Sequence, residues 1–345
     1  MNTESASPAA PLASGTFESL DAPSALQQRF VALREALDAE VVGQAALTER
    51  LLIALLADGH LLVEGAPGLA KTTAVKSLAA RIEADFHRIQ FTPDLLPADL
   101  TGTDVLRPQT GLFEFERGPL FHNLVLADEI NRAPAKVQSA LLEAMAERQV
   151  TIGRRSWPLP KLFMVMATQN PIEQEGTFPL PEAQLDRFLL HVPVHYPRGD
   201  SERAILKLAR ERAREELTEH VPPQRLLSQA DVFAARAQVL ELHLAEGLEE
   251  YIVQLVLATR DPRPFDLKLG GKIAWGASPR ATIALERASR ARAWLCGRDY
   301  VLPEDVQTLA PDVLRHRVLL GYEAEAEGLR VDDVVARLLE RVPLP

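Results

Sequence analysis

The sequence is poor in cysteine and has fewer basic than acidic residues. Its 345 residues include one cysteine, Cys296, so no disulfide can form within the chain, and a reducing cytoplasm is the expected compartment. Cys296 lies in an apolar segment with helical spacing, which predicts a buried structural thiol. A formal charge of -10 disfavours broad binding to nucleic acid or to anionic membranes and leaves room only for a local basic pore.

Long apolar runs are also missing. No apolar stretch approaches the ~18 residues that a membrane-spanning helix needs, and the N-terminus has no basic segment followed by an apolar core. We therefore expect neither membrane insertion nor export. Residues 1–22 are rich in Ala, Ser and Pro without periodicity, which predicts a flexible tail.

The composition is otherwise that of an ordinary globular protein. Apolar residues make up 47% of the chain and charged residues 25%, which is enough for a sizeable core. The chain is longer than the ~250 to 300 residues at which single cores usually divide. We therefore expect a larger domain over residues 23–198 and a smaller one over residues 199–345.

Short apolar runs alternate with helical patterns in the first domain. The runs are residues 60–63, 88–91, 124–127, 162–168 and 188–192. Buried strands that alternate with helices are typical of a parallel sheet with helices on both faces, so the predicted fold class is α/β. Beyond residue 199 the apolar positions follow helical spacing, which predicts a helical second domain without strands.

A glycine-bearing loop follows the first apolar run and leads into a helix that should end near Arg81. The loop and the first helical residues are Gly65, Ala66, Pro67, Gly68, Leu69, Ala70, Lys71, Thr72 and Thr73. The loop N–H groups can surround phosphate oxygens, Lys71 can neutralise the β- and γ-phosphates, and the Thr72 hydroxyl can bind Mg²⁺. Because Ala70 stands where the usual pattern has glycine, we expect it to keep a negative φ.

Two carboxylates, Asp128 and Glu129, follow the apolar run 124–127. They stand at the strand end where open α/β sheets bind their ligands. Asp128 would hold Mg²⁺ through its water shell, and Glu129 would orient and deprotonate the attacking water. A helix-capping acidic pair is the alternative, but two carboxylates beside a buried strand are costly without a cation to pair with.

Three further polar residues complete the predicted site. Asn170 follows the run 162–168 and could bind both the γ-phosphate and the attacking water, although Asn-Pro is also a common turn. Arg187 precedes the last apolar run and could reach the nucleotide of a neighbouring subunit. Arg280 follows a Ser-Pro pair that predicts the start of a helix. Positioned arginines stabilise a phosphoryl transition state, whereas an arbitrary arginine is usually a solvated surface charge.

The order of these motifs, preceded by Val42, Gly43 and Gln44, resembles that of AAA+ ATPases. Longer blocks are similar to signatures of the MoxR family, and the likeness runs from about residue 25 to the end of the chain. These blocks are residues 88–102, 127–132, 167–171 and 181–188. Ala70 also matches MoxR-like sequences.

The MoxR resemblance implies a five-stranded AAA+ core with strand order 5-1-4-3-2, a C-terminal helical lid, and a hexameric ring with ATP and Mg²⁺ between subunits. It assigns residues 42–44 to nucleotide binding, Asn170 to sensor 1, Arg187 to the arginine finger and Arg280 to sensor 2. Strand and turn patterns predict inserted hairpins near residues 101–118 and 149–161. The second of these hairpins is equally well explained as a plain surface hairpin.

The leading functional hypothesis is a motor whose ATP hydrolysis remodels or matures a protein client. The resemblance implies that such proteins often work with a partner that carries a von Willebrand factor A domain. Alternatives are a metal-chelatase subunit and a nucleic-acid-dependent motor, the latter disfavoured by the acidic charge. A nucleotide-binding scaffold without hydrolysis is disfavoured by the presence of Glu129, Asn170 and Arg187.

Overall fold

The computed structural model describes residues 24–171, 176–215 and 223–345. The tail predicted for residues 1–22 lies outside this part of the chain. The helices are α1 (Ala25–Glu40), α2 (Ala45–Leu56), α3 (Lys71–Arg81), α4 (Pro97–Thr101), α5 (Ala135–Glu147), α6 (Glu182–Leu185), α7 (Gly199–Glu215), α8 (Gln229–Glu241), α9 (Glu246–Arg260), α10 (Pro279–Leu295), α11 (Pro303–Leu314), α12 (Tyr322–Ala326) and α13 (Val331–Arg341). The strands are β1 (Leu61–Gly65), β2 (Phe86–Gln90), β3 (Gly102–Arg107), β4 (Leu112–Arg117), β5 (Leu124–Asp128), β6 (Gln149–Ile152), β7 (Arg155–Pro158), β8 (Met164–Gln169), β9 (Leu190–Val194), β10 (Ile273–Trp275) and β11 (Leu319–Leu320).

The central sheet has five parallel strands in the order β2-β5-β8-β1-β9. Numbered by their order along the chain and read from β9, these strands give 5-1-4-3-2, so the strand order implied by the resemblance is confirmed. Each strand overlaps one predicted apolar run, with ends shifted by no more than two residues. The middle strand β8 is buried at every position except its last, as expected for a strand covered on both faces.

Two hydrophobic clusters lie on opposite faces of the sheet. Leu124 and Leu126 of β5 belong to one cluster, whereas Val125 and Ala127 belong to the other, because successive side chains of a strand point to opposite faces. The first cluster extends without a break into the C-terminal helices, and the second is covered by α5. The helices after the sheet therefore share a core with it.

The contact between α1 and α10 illustrates how the C-terminal helices join the sheet domain. Phe30 of α1 meets Trp294 of α10 edge to face, with ring centroids 5.0 Å apart. Both side chains are almost fully buried, at 0% and 2% exposure. An edge-to-face pair of this kind adds about 0.5 to 1.5 kcal/mol beyond the area that it buries. The first and the last third of the chain are thus held together directly.

The C-terminal part is mainly helical, and it corrects two expectations. Strands β10 and β11 form a small antiparallel pair that was not predicted, because segments of three and two residues are too short to show a period. Cys296 is exposed rather than buried. Cys296 is the first residue after α10, so it does not belong to the face of that helix that packs on the core. No helix in the described ranges is long and apolar enough to cross a membrane.

Two antiparallel hairpins project from connections of the sheet. The first, β3–β4, follows β2 and α4, with residues 108–111 as its turn. The second, β6–β7, lies between α5 and β8. Phe115 of the first hairpin stacks on Trp157 of the second, with centroids 4.6 Å apart and ring planes at 21°. The hairpins therefore contact each other.

Candidate active site

The loop after β1 runs close to the last strand of the sheet. Gly65 is paired with Val194 of β9, and a Cβ atom on Gly65 would lie 2.7 Å from the carbonyl oxygen of Val194. Only glycine fits this approach without a backbone shift. The chain then turns through residues 66–70 and enters α3 at Lys71.

Ala70 contradicts the expected negative φ. Its φ is 57° and its ψ 17°, in the left-handed region, and it is the N-cap of α3. The prediction was wrong because the reversal of the chain before the helix, and not the side chain, decides this torsion angle. For alanine the conformation costs roughly 1 to 2 kcal/mol. No side chain caps this helix start, so the N–H groups of its first turn can bind an anion.

Lys71 lies within the curve of the loop. Its Nζ donates a hydrogen bond to the carbonyl oxygen of Gly65 at 2.6 Å. Burial lowers the pKa of Lys71, and nearby carboxylates, first among them Asp128, oppose that shift. The ammonium group is therefore partly removed from water, and an anionic ligand would offset the cost of its burial.

Asp128 and Glu129 stand at the carboxyl end of β5 and share a partner on the neighbouring strand β8. Thr168 Oγ1 donates to Oδ1 of Asp128 at 2.5 Å and accepts from the N–H of Glu129 at 2.9 Å. Glu129 has a φ of 58°, a left-handed conformation that is uncommon for residues other than glycine and clusters at functional sites. Thr168 was not predicted, although its position two residues before Asn170 was an available signal.

The edge strand β2 contributes two side chains to which the sequence analysis gave no role. Arg88 Nη2 donates to Oδ2 of Asp128 at 2.7 Å, and Gln90 Nε2 donates to Oε2 of Glu129 at 2.7 Å. Arg132 Nη1 also donates to Oε2 of Glu129, at 3.1 Å. Arg88 and Gln90 stand two positions apart at the end of a predicted strand, so their side chains lie on the same face. This spacing was the signal in the sequence that could have identified them.

Lys71, Arg88, Asp128 and Glu129 line one cavity of about 790 Å³, a typical size for a small-molecule site. The predicted site residues at its surface are Val42, Gln44, Pro67, Gly68, Leu69, Ala70, Lys71, Thr72, Thr73, Asp128, Glu129 and Asn170. Gly43, Gly65 and Ala66 do not line it. A further wall was not predicted: it consists of Tyr196 and of α7, through Ile205, Leu208 and Arg212.

The side chains around the cavity fit a magnesium-bound nucleotide. Lys71 and the start of α3 can bind phosphate groups. The Thr72 hydroxyl and the Asp128 carboxylate are hard oxygen donors at the surface of the same cavity, as Mg²⁺ requires. Apolar side chains such as Val42 and Ile205 can cover a base. Gln44 Nε2 donates to the carbonyl oxygen of His195 at 2.9 Å, which ties this wall to the segment that leads into α7.

Arg187 and Arg280 lie in a second cleft, of about 370 Å³. Three more arginines, Arg148, Arg287 and Arg317, line it. Arg187 Nη1 donates to the carbonyl oxygen of Leu142, and its Nε is buried without a hydrogen-bond partner among the described residues. Ser278 caps α10 and Pro279 begins it, so Arg280 stands in the first turn of that helix. Neither Arg187 nor Arg280 lines the cavity that holds Lys71 in the same chain.

Comparison with known proteins identifies the family. Residues 60–190 match the ATPase family associated with various cellular activities (AAA), and residues 271–338 match the AAA lid domain. Chaperone MoxR1 of Mycobacterium tuberculosis is 48% identical over 308 residues, which cover 88% of this chain and 79% of that protein. This chain belongs to the MoxR family of AAA+ ATPases.

A second MoxR relative and a solved structure support this assignment. Protein MoxR of Methylorubrum extorquens is 35% identical over 318 residues, which cover 88% of this chain and 92% of that protein. A crystal structure from Cytophaga hutchinsonii, of a protein described as an ATPase, has a TM-score of 0.86 and 46% identity and covers 93% of this chain and 96% of that one. The MoxR resemblance, the AAA+ fold with its lid, and the ATPase activity are thereby confirmed.

Proposed function

We propose that this MoxR-family ATPase forms a hexameric ring in the cytoplasm, where Mg²⁺-dependent ATP hydrolysis drives chaperone-like remodelling or maturation of a protein client. The name of one relative, chaperone MoxR1, supports the client role. The observation that carries the proposal is the division of the predicted site residues between two clefts. Lys71, Asp128 and Glu129 line one, and Arg187 and Arg280 line the other.

Within one subunit, five polar residues of the larger cavity have roles in phosphoryl transfer. Lys71 and the loop backbone bind the β- and γ-phosphates, and Thr72 and Asp128 hold Mg²⁺. Glu129 orients and deprotonates the attacking water, and Asn170 hydrogen-bonds that water and the γ-phosphate. Their position around one cavity supports these assignments. Mg²⁺ supplies neutralisation of charge on the phosphate oxygens when it is bound.

The arginines require a second copy of the chain. Hydrolysis is accelerated by cations placed around the equatorial oxygens of the γ-phosphate. Arg187 and Arg280 line a cleft that is separate from the cavity of their own chain, so they can act on a nucleotide only if another subunit carries it. The second cleft is basic, with five arginines against Asp58, whereas the nucleotide cavity has a small acidic excess, with four acidic residues against Lys71, Arg88 and Arg212. This opposite charge favours contact between the two surfaces.

Nucleotide binding and hydrolysis by single variants test the assignments within one subunit. We expect Lys71→Ala to lose binding of a fluorescent ATP analogue, and Glu129→Gln to keep binding while hydrolysis stops. Arg263→Gln is the control, because Arg263 pairs with Asp261 on an exposed loop at 2.7 Å and does not line the cavity. If Lys71→Ala binds ATP as tightly as the wild type, the phosphate-binding role of the loop is wrong.

Mixtures of wild type and Arg187→Ala test the ring. If Arg187 acts on a neighbouring nucleotide, an equimolar mixture should lose more activity than the share of variant chains accounts for. The specific ATPase rate of the wild type should also rise steeply with protein concentration. A flat specific rate and a loss proportional to the variant share would indicate a working monomer and would overturn the shared site.

An unfolded polypeptide tests the client role. Leu106, Leu112 and Phe113 of hairpin β3–β4 are 50%, 64% and 69% exposed, and such apolar surface supports contact with unfolded protein. We expect an unfolded test protein to raise the ATPase rate and duplex DNA to leave it unchanged. The reverse pattern would favour a nucleic-acid motor.

A partner that carries a von Willebrand factor A domain is supported by the family resemblance. Binding of this chain to a purified protein of that class from the same genome tests the proposal.

A further inference from the structure

A continuous chain of hydrogen bonds ties both carboxylates of the proposed site to the edge strand β2. Arg88 donates to Oδ2 of Asp128 through Nε at 3.0 Å and through Nη2 at 2.7 Å. The same Nη2 donates to Oε1 of Gln90 at 2.9 Å, and Gln90 Nε2 donates to Oε2 of Glu129 at 2.7 Å. Arg88 is therefore in direct contact with Asp128, one of the two predicted magnesium ligands.

The register of the sheet explains the arrangement. In the parallel pair β2–β5, Arg88 lies beside Leu126 and Gln90 lies beside Asp128. Because side chains alternate along a strand, Arg88, Gln90 and Asp128 share one face. The Arg88 side chain is 50% exposed, whereas that of Asp128 is 13% exposed. The arginine can therefore move while the carboxylate stays in place.

The two carboxylate oxygens of Asp128 have hydrogen-bond partners that differ in exposure: one partner is buried and the other is half-exposed. Oδ1 accepts from Thr168, which is 0% exposed and also binds the N–H of Glu129. Oδ2 accepts from the half-exposed Arg88. An ion pair with an exposed partner contributes little free energy, so its exchange costs little. The oxygen that can turn to a magnesium-bound water is Oδ2, the one that Arg88 contacts.

We propose that, when a magnesium-bound nucleoside triphosphate enters the cavity, the Arg88 side chain breaks its ion pair with Asp128 and its guanidinium group pairs with the γ-phosphate instead. Every charge keeps a partner in this exchange, because Asp128 gains the hydrated Mg²⁺ and the phosphate oxygens gain a planar guanidinium that suits their geometry. A diphosphate has no γ-phosphate to receive it. Arg88 thus distinguishes ATP from ADP, a role that rests on the nucleotide site proposed above.

The other arginine at the cavity is not a substitute. Arg212 belongs to α7, and its guanidinium lies 3.6 Å from Glu40, at the wall formed by α1 and α7. Arg88 lines the cavity from the strand next to Asp128 and contacts that carboxylate directly. Among the described residues that line the cavity, Arg88 is therefore the arginine placed to exchange with the metal.

Equilibrium binding of fluorescent AMP-PNP and ADP to the full chain tests the proposal. In Mg²⁺, Arg88→Gln should weaken AMP-PNP binding about ten- to a hundredfold, which is the range expected for the loss of one charge-assisted hydrogen bond. The same variant should weaken ADP binding less than about twofold. Arg88→Lys should recover part of the loss, because it keeps the charge without the planar fork. Arg263→Gln, which also removes one arginine from an exposed ion pair, should bind both nucleotides normally.

The same titrations in EDTA separate an exchange from a fixed contact. Without Mg²⁺ to take Asp128, Arg88 stays with that carboxylate, so the effect of Arg88→Gln on AMP-PNP should shrink to less than about threefold. An equal loss for both nucleotides, no loss for AMP-PNP, or the same loss in EDTA as in Mg²⁺ would each overturn the proposal. Wild-type affinity of Lys71→Ala would instead overturn the nucleotide site itself. Circular dichroism and the urea midpoint verify that each variant is folded.

Discussion

Nε of Arg317 lies 2.8 Å from Oδ1 of Asp186, the residue that precedes Arg187. The Arg317 side chain is 3% exposed, and its Nη2 donates to the carbonyl oxygen of Phe188 at 2.6 Å. Burial lowers the pKa of Arg317, and the hydrogen bond to Asp186 opposes that shift. One guanidinium group from the C-terminal part of the chain therefore binds the residues on both sides of Arg187.

Removal of the Asp186 carboxylate should destabilise the fold. Asp186→Ala leaves the Arg317 guanidinium buried without its anionic partner, and Ser278 Oγ loses an acceptor that lies 2.8 Å away. Breaking a buried ion pair from one side costs several kcal/mol, so we expect the free energy of unfolding to fall by about 3 kcal/mol. Urea unfolding followed by circular dichroism measures the change.

An exposed ion pair supplies the control for Asp186. Glu114 pairs with Arg107 at 2.9 Å, and its side chain is 57% exposed. Glu114→Ala should therefore cause a much smaller loss, because solvent replaces the lost contact. Asp186→Asn should fall between the two, since the amide oxygen can still accept from Arg317. Equal losses for Asp186→Ala and Glu114→Ala would contradict the importance of burial here.

The parts of the structure that follow from local chemistry were predictable. Buried strands appear in the sequence as apolar runs, because a parallel sheet is covered on both faces, and all five runs became strands of the central sheet. The carboxylates Asp128 and Glu129 and the loop with Lys71 meet because parallel strands end at one edge of the sheet. Strand order is a long-range property, and it came from family resemblance alone.

The features that the sequence analysis missed depend on tertiary geometry. The left-handed φ of Ala70 is imposed by the path of the loop, against the preference of alanine. The contact of Arg88 with Asp128 depends on which strands are neighbours. The place of Arg280 beside Arg187 in the second cleft depends on how α10 packs on the sheet domain. The exposure of Cys296 depends on the residue at which α10 ends.

His60 is a buried neutral imidazole. Nδ1 accepts from the N–H of Val165 at 3.0 Å, so Nε2 carries the proton and donates to the carbonyl oxygen of Met145 at 3.3 Å. Burial, followed by the charge of Arg148, lowers the pKa of His60 from 6.5 to about 3. Below pH 6.5 the unfolded chain therefore binds a proton here that the folded chain does not bind, so stability is lost as the pH falls.

His60 should make a measurable contribution to acid sensitivity. Between pH 7 and pH 5 it should lower the free energy of unfolding by about 2 kcal/mol. The amide of His60→Gln can accept and donate in the same two places without binding a proton, so this variant should lose less over the same interval. Other buried histidines, such as His316, are present in both proteins and cancel. Urea unfolding at the two pH values measures these losses. If wild type and His60→Gln lose the same free energy of unfolding between pH 7 and pH 5, folded His60 titrates normally.

Phe115 and Trp157 should be energetically coupled. Their rings stack at 4.6 Å, and such pairs contribute about 0.5 to 1.5 kcal/mol beyond burial. A double-mutant cycle of Phe115→Leu and Trp157→Leu should therefore give a coupling free energy of about 1 kcal/mol in urea unfolding. Phe113, which is 69% exposed, supplies the matched control, and its substitution should be additive with Trp157→Leu. Equal coupling for Phe113 and Phe115 would rule out a specific stack.

Gly102 and Gly111 of hairpin β3–β4 contrast a glycine that backbone atoms surround with a glycine in open space. Both have positive φ, 88° and 66°, so alanine at either position is strained by at least about 1 kcal/mol, and the ψ of 178° at Gly102 lies in a region essentially restricted to glycine. A Cβ on Gly102 would lie 2.1 Å from the carbonyl oxygen of Glu116 and 2.6 Å from the nitrogen of Gly118. A Cβ on Gly111 would meet nothing within 4 Å. Only Gly102→Ala therefore adds a clash with the backbone of the partner strand.

The clash should open the hairpin at its base. An isolated two-stranded hairpin is marginally stable, so we expect amide hydrogens of residues 102–117 to exchange at least about tenfold faster in Gly102→Ala than in Gly111→Ala. Nucleotide binding should be unchanged in both variants, because neither glycine lines the cavity. Equal amide exchange rates in the two variants would mean that the strands can move apart at Gly102 at no cost in free energy. In that case the close approach at Gly102 does not constrain how the hairpin joins the sheet domain.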